Sequence, residues 1–275
     1  MKTFKSVVAI LVIVIAISSC KKSEKETLIT PPVNNPTLTK IGETYILGAQ
    51  AKAVIYALED FKTGYNVIYT ALFDSIDGSP LLDGHYDITP MMNSGMMNHS
   101  SPVENTEDVT ATNGYFKSAV VFSMPGTASE WSLNILFHNH KNMLEGEGTI
   151  GVNVMVSNPA KFISTVVVAD SNAKVYISLI SPKTPQVGIN DLEMVLHKKV
   201  DMMTFPSIDD YTIEIVPEMP SMGHGSPNNV NPVFTNTGHY VGKVNFTMTG
   251  LWYVHLSLYK NGILISNDQK FEITL

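Results

Sequence analysis

One loop near the end of the chain combines two methionines and a histidine with residues that favour turns. It runs from Pro217 to Asn229, reads PEMPSMGHGSPNN, and contains Met219, Met222 and His224. Thioether sulfur and imidazole nitrogen suit a soft cation such as Cu(I), whereas calcium and magnesium prefer oxygen ligands. Because methionine needs no deprotonation before it binds, such a site tolerates mild acid better than a cysteine site does. The loop therefore predicts copper binding.

A second loop of the same kind lies earlier in the chain. The segment DITPMMNSGMMNHSSP covers residues 87–102 and is richer still in sulfur. We add one histidine at the start of the strand predicted after the later loop, because the intervening segment can fold back. The candidate copper ligands are Met219, Met222, His224 and His239 in the later segment and Met91, Met92, Met96, Met97 and His99 in the earlier one.

These residues also have a structural interpretation. Methionine is a flexible apolar side chain, so Met219 or Met222 can instead fill the end of a protein core while proline and glycine shape the turn. A methionine-rich exposed loop can also contact a protein partner. For His224, which lies between two glycines, we favour the ligand interpretation. Four further residues lie on apolar strand faces and are expected in the core: Met124, Met248, Trp131 and Trp252.

The two loops occupy the same place in an internal repeat. AKAV at residues 51–54 precedes the earlier loop, as AKV at 173–175 precedes the later one. After the loops, VVFSMPG at 120–126 corresponds to VNFTMTG at 244–250, and a tryptophan follows each. Matches that keep one order along the chain predict a tandem duplication. We expect one domain over residues 40–156 and a second over residues 157–275.

Each copy has the pattern of a sheet with one buried face. Apolar residues alternate with others over 131–137 in the first copy and over 252–258 in the second. Period-two alternation is typical of half-buried strands. About seven such runs per copy, separated by Gly, Pro, Asn and Asp, predict an all-β chain of two tandem immunoglobulin-like antiparallel β-sandwiches. Asp77-Gly78 and Asn261-Gly262 predict hairpin turns.

The order of these motifs resembles the YtkA-like domain, which is related to FixH-like proteins. The later copy carries the resemblance best, through MPSMGHG at 219–225, GHY at 238–240 and FTMTGLW at 246–252. The earlier copy lacks the Met-Pro element, and its Trp131 is displaced. The resemblance implies a small extracytoplasmic β-sandwich, often attached to a membrane and often associated with copper or with assembly of copper-containing oxidases. Because the earlier copy departs from the pattern, the two copies need not share one role.

The N-terminus has the composition of a bacterial lipoprotein signal. Lys2 and Lys5 precede an apolar run over residues 7–17, which is short for a membrane-spanning helix, and ISSC follows at 17–20. We predict a signal peptide over residues 1–19 and acylation of Cys20, the single cysteine; a plain cleaved signal is the alternative. The polar, proline-rich segment 20–39 would be a tether. The expected location is the cell envelope, lipid-anchored at the outer membrane and facing the periplasm or the cell surface.

Composition and motifs argue against several classes of function. The net charge of −7 argues against a nucleic-acid partner. The sequence has no Gly-x-Ser-x-Gly elbow, no His-Glu-x-x-His and no glycine-rich phosphate loop, so we expect no enzyme. The predicted function is a membrane-anchored lipoprotein that carries or buffers copper, or delivers it to a copper-receiving envelope protein. The alternative is an immunoglobulin-like binding module without metal, or an accessory component of an envelope protein complex.

Overall fold

The computed structural model describes residues 37–95 and 97–275. The predicted signal peptide, the predicted acylation site at Cys20, most of the predicted tether and the candidate ligand Met96 lie outside the described residues. In the described part, regular structure consists of β-strands and two short 3-10 turns, at Leu47–Ala49 and Val168–Asp170. No helix in this part is long and apolar enough to cross a membrane. The prediction of an all-β fold is confirmed.

Residues 39–151 form a first sandwich of two antiparallel sheets. Its strands are β1 (Thr39–Ile46), β2 (Ala51–Ala57), β3 (Gly64–Asp74), β4 (Pro80–Leu81), β5 (Gly84–Asn93), β6 (Asn98–Ser100), β7 (Val103–Glu104), β8 (Phe116–Phe122), β9 (Trp131–Asn139) and β10 (Leu144–Gly151). One sheet has the order β1-β2-β3-β8-β7, with β4 paired to β3, and the other has the order β10-β9-β5-β6. Apolar side chains from both sheets form a common core.

Residues 162–274 form a second sandwich of the same type. Its strands are β11 (Phe162–Val167), β12 (Ala173–Ser181), β13 (Gly188–Lys199), β14 (Tyr211–Met219), β15 (His224–Gly225), β16 (Val230–Asn236), β17 (His239–Phe246), β18 (Leu251–Lys260) and β19 (Ile263–Thr274). The sheet orders are β11-β12-β13-β17-β16 and β15-β14-β18-β19. Apart from β4, strand pairing follows the order of the first sandwich, so the two halves of the chain repeat one topology.

Each core contains one tryptophan at the start of a strand. Trp131 begins β9, Trp252 lies near the start of β18, and both are fully buried, as predicted. The Nε1 atom of Trp131 donates to the carbonyl of Met124 at 3.1 Å, and that of Trp252 donates to the carbonyl of Met248 at 3.0 Å. The indole N–H is thereby satisfied inside the core, which removes the cost of burying it.

Met124 and Met248 themselves are not core residues, contrary to the prediction. Their side chains are 39% and 38% exposed. The period-two pattern does not continue to these two residues, because β8 ends at Phe122 and β17 ends at Phe246. Beyond those residues the chain turns, and burial no longer alternates. Both methionines remain next to a tryptophan through their backbone carbonyls.

The two predicted hairpin turns are confirmed. Asn261 and Gly262 join β18 to β19 and have φ values of 51° and 76°, the left-handed pair that a type I′ turn requires. Gly78 follows β3 with a φ of 72°, and the carboxylate of Asp77 accepts a hydrogen bond from the backbone N–H of Ser79. These turns set the register of the strands they connect.

Candidate functional site

The β14–β15 hairpin brings Met219 and His224 side by side. The two residues are direct register partners across the strands, which places their Cβ atoms about 5 Å apart. The backbone N–H groups of Met222 and Gly223 both donate to the carbonyl of Met219, at 3.1 and 2.9 Å. Gly223 has a φ of 63°, which glycine adopts without strain. The turn therefore folds back so that the first methionine and the histidine meet.

Packing constrains both side chains of this pair, of which Met219 is buried and His224 half-buried. Met219 is 3% exposed. Its Cε lies 2.7 Å from the place that a Cβ on Gly250 would occupy, so glycine at that position makes room for the thioether. The ring of His224 packs against that of Trp252, with centroids 5.8 Å apart and planes at 70°.

The backbone also selects the tautomer of His224. Its Nδ1 lies 2.9 Å from the carbonyl oxygen of Gly225. A carbonyl only accepts hydrogen bonds, so Nδ1 carries the proton and donates. In the neutral ring the lone pair is then on Nε2, which is the nitrogen left for a metal.

The first sandwich repeats this arrangement. Met92 and His99 are direct register partners across β5 and β6, and both are buried. The ring of His99 lies 5.8 Å from that of Trp131 at an angle of 90°, and its Nδ1 donates to the carbonyl of Ser100 at 2.9 Å. We call Met92, His99 and Trp131 the first tip, and Met219, His224 and Trp252 the second tip.

Three further methionines predicted as ligands, Met91, Met97 and Met222, lie around the tips. Met222 and Met97 are on the hairpin turns and are 62% and 58% exposed, and Met91 is half-buried. In residues 37–95 and 97–275, no group of three or more His, Cys, Asp or Glu side chains has its donor atoms positioned to hold a metal ion in the present side-chain conformations. A metal at either tip would therefore depend on thioether ligands.

The structure separates His239 from the three residues predicted to bind metal with it. His239 begins β17, whereas the ring of Phe246, at the other end of that strand, contacts Trp252 with centroids 5.6 Å apart. Seven residues of strand span about 23 Å, so His239 is far from the second tip. The segment between His224 and His239 does not return to the tip as predicted. It contains β16, which ends beside His239, where Asn236 is its register partner.

His239 instead joins the two sandwiches. Its Nε2 lies 3.0 Å from Glu104 of the first sandwich, and its Nδ1 lies 2.9 Å from Glu193 of the second. Since carboxylates only accept, both ring nitrogens must be protonated, and the ring is an imidazolium. The hydrogen bond to Glu104 raises the pKa of His239. Burial raises the pKa of Glu104, but hydrogen bonds from His239 and Tyr65 outweigh it and hold that pKa below its usual value.

Sequence reasoning missed two parts of this geometry. It assigned the tryptophans to the core without noting that each packs against the histidine of a tip. The sequence does contain a signal for this contact. In each copy of the repeat, a tryptophan follows the segment that comes after the Met/His loop. It also missed the carboxylates around His239, for which the sequence offers no local signal because Glu104 lies in the other sandwich.

Comparison with known proteins gives one family match, in the second sandwich. The family model described as YtkA-like matches residues 170–257. No curated protein matches the chain.

Among solved structures, the chain is similar at low identity and low TM-score to two bacterial adhesins and an S-layer protein. The Escherichia coli adhesin FdeC has 15% identity and a TM-score of 0.27, over 84% of this chain and 65% of that chain. Domains 5–6 of the S-layer protein SbsC have 11% identity and a TM-score of 0.27, over 78% of this chain and 91% of that chain. The Yersinia pseudotuberculosis adhesin InvE has 12% identity and a TM-score of 0.23, over 78% of this chain and 56% of that chain. This chain thus spans less than two thirds of the two adhesin structures. The match to the YtkA-like family model covers residues 170–257, which lie within the second sandwich and begin in its 3-10 turn.

Proposed function

We propose that the chain is an extracytoplasmic, lipid-anchored copper carrier that binds Cu(I) at its two tips. One observation carries the proposal: in both sandwiches a methionine and a histidine are direct cross-strand partners, and the backbone already holds the Nδ1 of that histidine. Packing alone would need only the buried methionine, which closes the end of each core. It would not need a histidine opposite that methionine at both tips.

The donor set of the tips fits a soft cation. Each tip offers a thioether sulfur and a neutral imidazole Nε2, which are ligands that Cu(I) prefers over harder metals. An exposed methionine on the turn, Met222 in the second tip or Met97 in the first, would supply a further sulfur. Because that side chain is exposed to solvent, it would also be the ligand that releases the metal. Such a site favours transfer to a copper-receiving envelope protein over permanent storage.

The proposed location follows from the N-terminal sequence. An acyl group on Cys20 would hold the protein on the membrane, since each buried methylene contributes about 0.8 kcal/mol to membrane binding. We propose attachment at the outer membrane, with the sandwiches facing the periplasm or the cell surface. The tether at 20–39 would let the tips reach a partner protein.

Titration with Cu(I) tests the proposal. The full chain in detergent, under anaerobic reducing conditions, is expected to take up one Cu(I) at each tip in competition with a colorimetric chelator. His224→Ala should weaken binding at the second tip at least about ten-fold, because loss even of an outer contact to a metal ligand has such an effect. His99→Ala should do the same at the first tip. His255→Ala is the matched control, because it removes a surface imidazole that faces Glu218 and leaves both tips intact.

Two results would contradict the copper proposal: no uptake by the unmodified chain, or equal uptake by the chain with both tip histidines replaced. The alternative, a binding module without metal, is favoured by the exposure of Met97 and Met222 on the two turns. In that case binding of an envelope partner would be lost in Met97→Ser and Met222→Ser and would not respond to a copper chelator.

A further inference from the structure

Three histidines form a cluster on the outer face of the first sandwich. His85 on β5 and His138 on β9 are direct register partners, and His140 follows the end of β9. His85 is exposed, and the side chains of His138 and His140 are 29% and 26% exposed. Seven residues of β5 separate His85 from Met92, a distance of about 23 Å. The cluster therefore lies at the end of the sandwich opposite to the first tip.

The spacing of the three rings matches a shared metal. The ring centroids are 4.9 Å apart for His85 and His140, 5.5 Å for His138 and His140, and 6.1 Å for His85 and His138. A metal binds imidazole nitrogen at about 2.0–2.1 Å, which puts each ring centre about 3.2 Å from the metal and neighbouring ring centres about 4.5–5.5 Å apart. Two of the three separations already fall within this range, and the third is slightly larger.

Carboxylates face the Nδ1 atoms of two of the rings. The Nδ1 of His140 is 3.1 Å from the Oδ1 of Asp83, and the Nδ1 of His138 is 3.6 Å from the Oε2 of Glu145. A carboxylate at one ring nitrogen orients the ring and makes the other nitrogen a better ligand. Because the carboxylates face Nδ1, Nε2 is the nitrogen that His138 and His140 would offer to a metal.

The second sandwich lacks this cluster. Thr212 and Tyr259 are register partners across β14 and β18, as His85 and His138 are across β5 and β9. Tyr259 donates to Glu214 instead. The histidines are therefore not a requirement of the fold, since the same sheet forms with other residues at these positions.

We propose that His85, His138 and His140 form a second metal site, which binds a divalent first-row cation such as Zn²⁺ or Cu²⁺. Imidazole nitrogen suits these ions, and the absence of thioether sulfur from this trio distinguishes it from the tips. In the described residues the three rings do not yet have their donor atoms arranged around one point. Rotation of these partly exposed side chains about χ1 and χ2 closes the site when the ion binds.

Zinc titration of the full chain in detergent tests this site. We expect one Zn²⁺ bound at the cluster, detected by competition with a zinc indicator, and visible d–d absorption when Co²⁺ replaces it. His85→Thr and His138→Tyr introduce the residues of the second sandwich, so the strands retain suitable side chains. Each change should weaken binding at least about ten-fold, and the two combined with His140→Ala should abolish it.

Controls separate this site from the copper tips. A chain with His99→Ala and His224→Ala should retain the Zn²⁺ site, and the triple cluster variant should retain its Cu(I) uptake. Circular dichroism and the urea midpoint of the triple variant should match the metal-free unmodified chain. The proposal is wrong if the unmodified chain binds no Zn²⁺, or if the folded triple variant binds it with unchanged stoichiometry and affinity.

Discussion

Replacing Trp252 with alanine is expected to lower the free energy of unfolding of the second sandwich by about 3–5 kcal/mol. Trp252 is fully buried, and its ring contacts that of Phe246 with centroids 5.6 Å apart. The substitution would leave a large cavity between the two sheets. It would also leave the carbonyl of Met248 without the N–H that it accepts at 3.0 Å.

Urea unfolding can assign this loss to one sandwich. Far-UV circular dichroism would report both sandwiches, whereas in Trp252→Ala the fluorescence of Trp131 would report the first sandwich alone, since the chain has two tryptophans. We expect a large fall in the midpoint of the second sandwich and a much smaller change in the fluorescence transition. Trp252→Phe is the matched variant, because it retains an aromatic ring and removes only the N–H and part of the volume. A loss below about 1 kcal/mol for Trp252→Ala would contradict the packing described for this core.

The same substitution should affect the second tip. The ring of His224 packs against Trp252, so loss of the indole frees the imidazole to adopt other rotamers. Cu(I) affinity at the second tip should fall while that at the first tip is unchanged. Trp131→Ala should produce the reverse pattern, because His99 packs against Trp131.

The sequence was sufficient to predict the strands but not the ends of the strands. Period-two runs and the Asn261-Gly262 turn are local signals, and the structure contains the strands and the hairpin that they predict. Met248 was misplaced because an apolar residue just beyond a strand looks like one more step of the alternation. The turn that brings Trp252 back into the core determines the residue at which the alternation ends. The pattern of apolar residues does not specify where that turn begins.

The sequence predicts which residue types form the candidate site, but not which of these residues pair across the hairpin. The loop sequence does not say whether Met219 or Met222 is buried, since both are methionines near a proline. The hairpin register decides it, because Met219 is opposite His224 and Met222 is on the turn. His239 was assigned to the tip because it is close in sequence. Its partner Glu104 comes from the other sandwich, and contacts between sandwiches leave no periodic trace in the sequence.

Stability is expected to fall by roughly 3 kcal/mol on acidification because of His197. This ring on β13 is 3% exposed, and its Nδ1 is buried without a hydrogen-bond partner among the described residues. Burial lowers the pKa of His197 from 6.5 to about 4. His197 is therefore protonated below about pH 6.5 in the unfolded chain but only below about pH 4 in the native chain. Stability is complete above the unfolded pKa and is lost progressively as the pH falls through that interval.

Replacing His197 separates its contribution from those of other groups. His197→Phe has an aromatic ring that does not titrate, so the acid loss should shrink by about 2 kcal/mol when urea midpoints at about pH 5 and about pH 7.5 are compared. Over the same interval the lowered pKa of Glu104 adds a small acid loss and the raised pKa of His239 acts in the opposite direction, so the test is the difference between His197→Phe and the unmodified chain. If the change in stability between the two pH values is the same in His197→Phe as in the unmodified chain, the neutral, buried state of His197 is contradicted.

Above neutral pH, the free energy of unfolding is expected to fall as the pH rises, and this fall depends on His239. Its raised pKa means that the native chain holds a proton more tightly than the unfolded chain. The resulting stability is fully present below the unfolded pKa of 6.5 and is lost as the pH rises through the native value. His239→Gln should therefore reduce the loss of stability above neutral pH, while the loss at acid pH due to His197 remains.

Because His239 holds Glu104 of one sandwich against Glu193 of the other, deprotonation of His239 should also loosen the contact between the sandwiches. Small-angle scattering at both pH values would detect that loosening, and an unchanged profile would show that other contacts hold the sandwiches together.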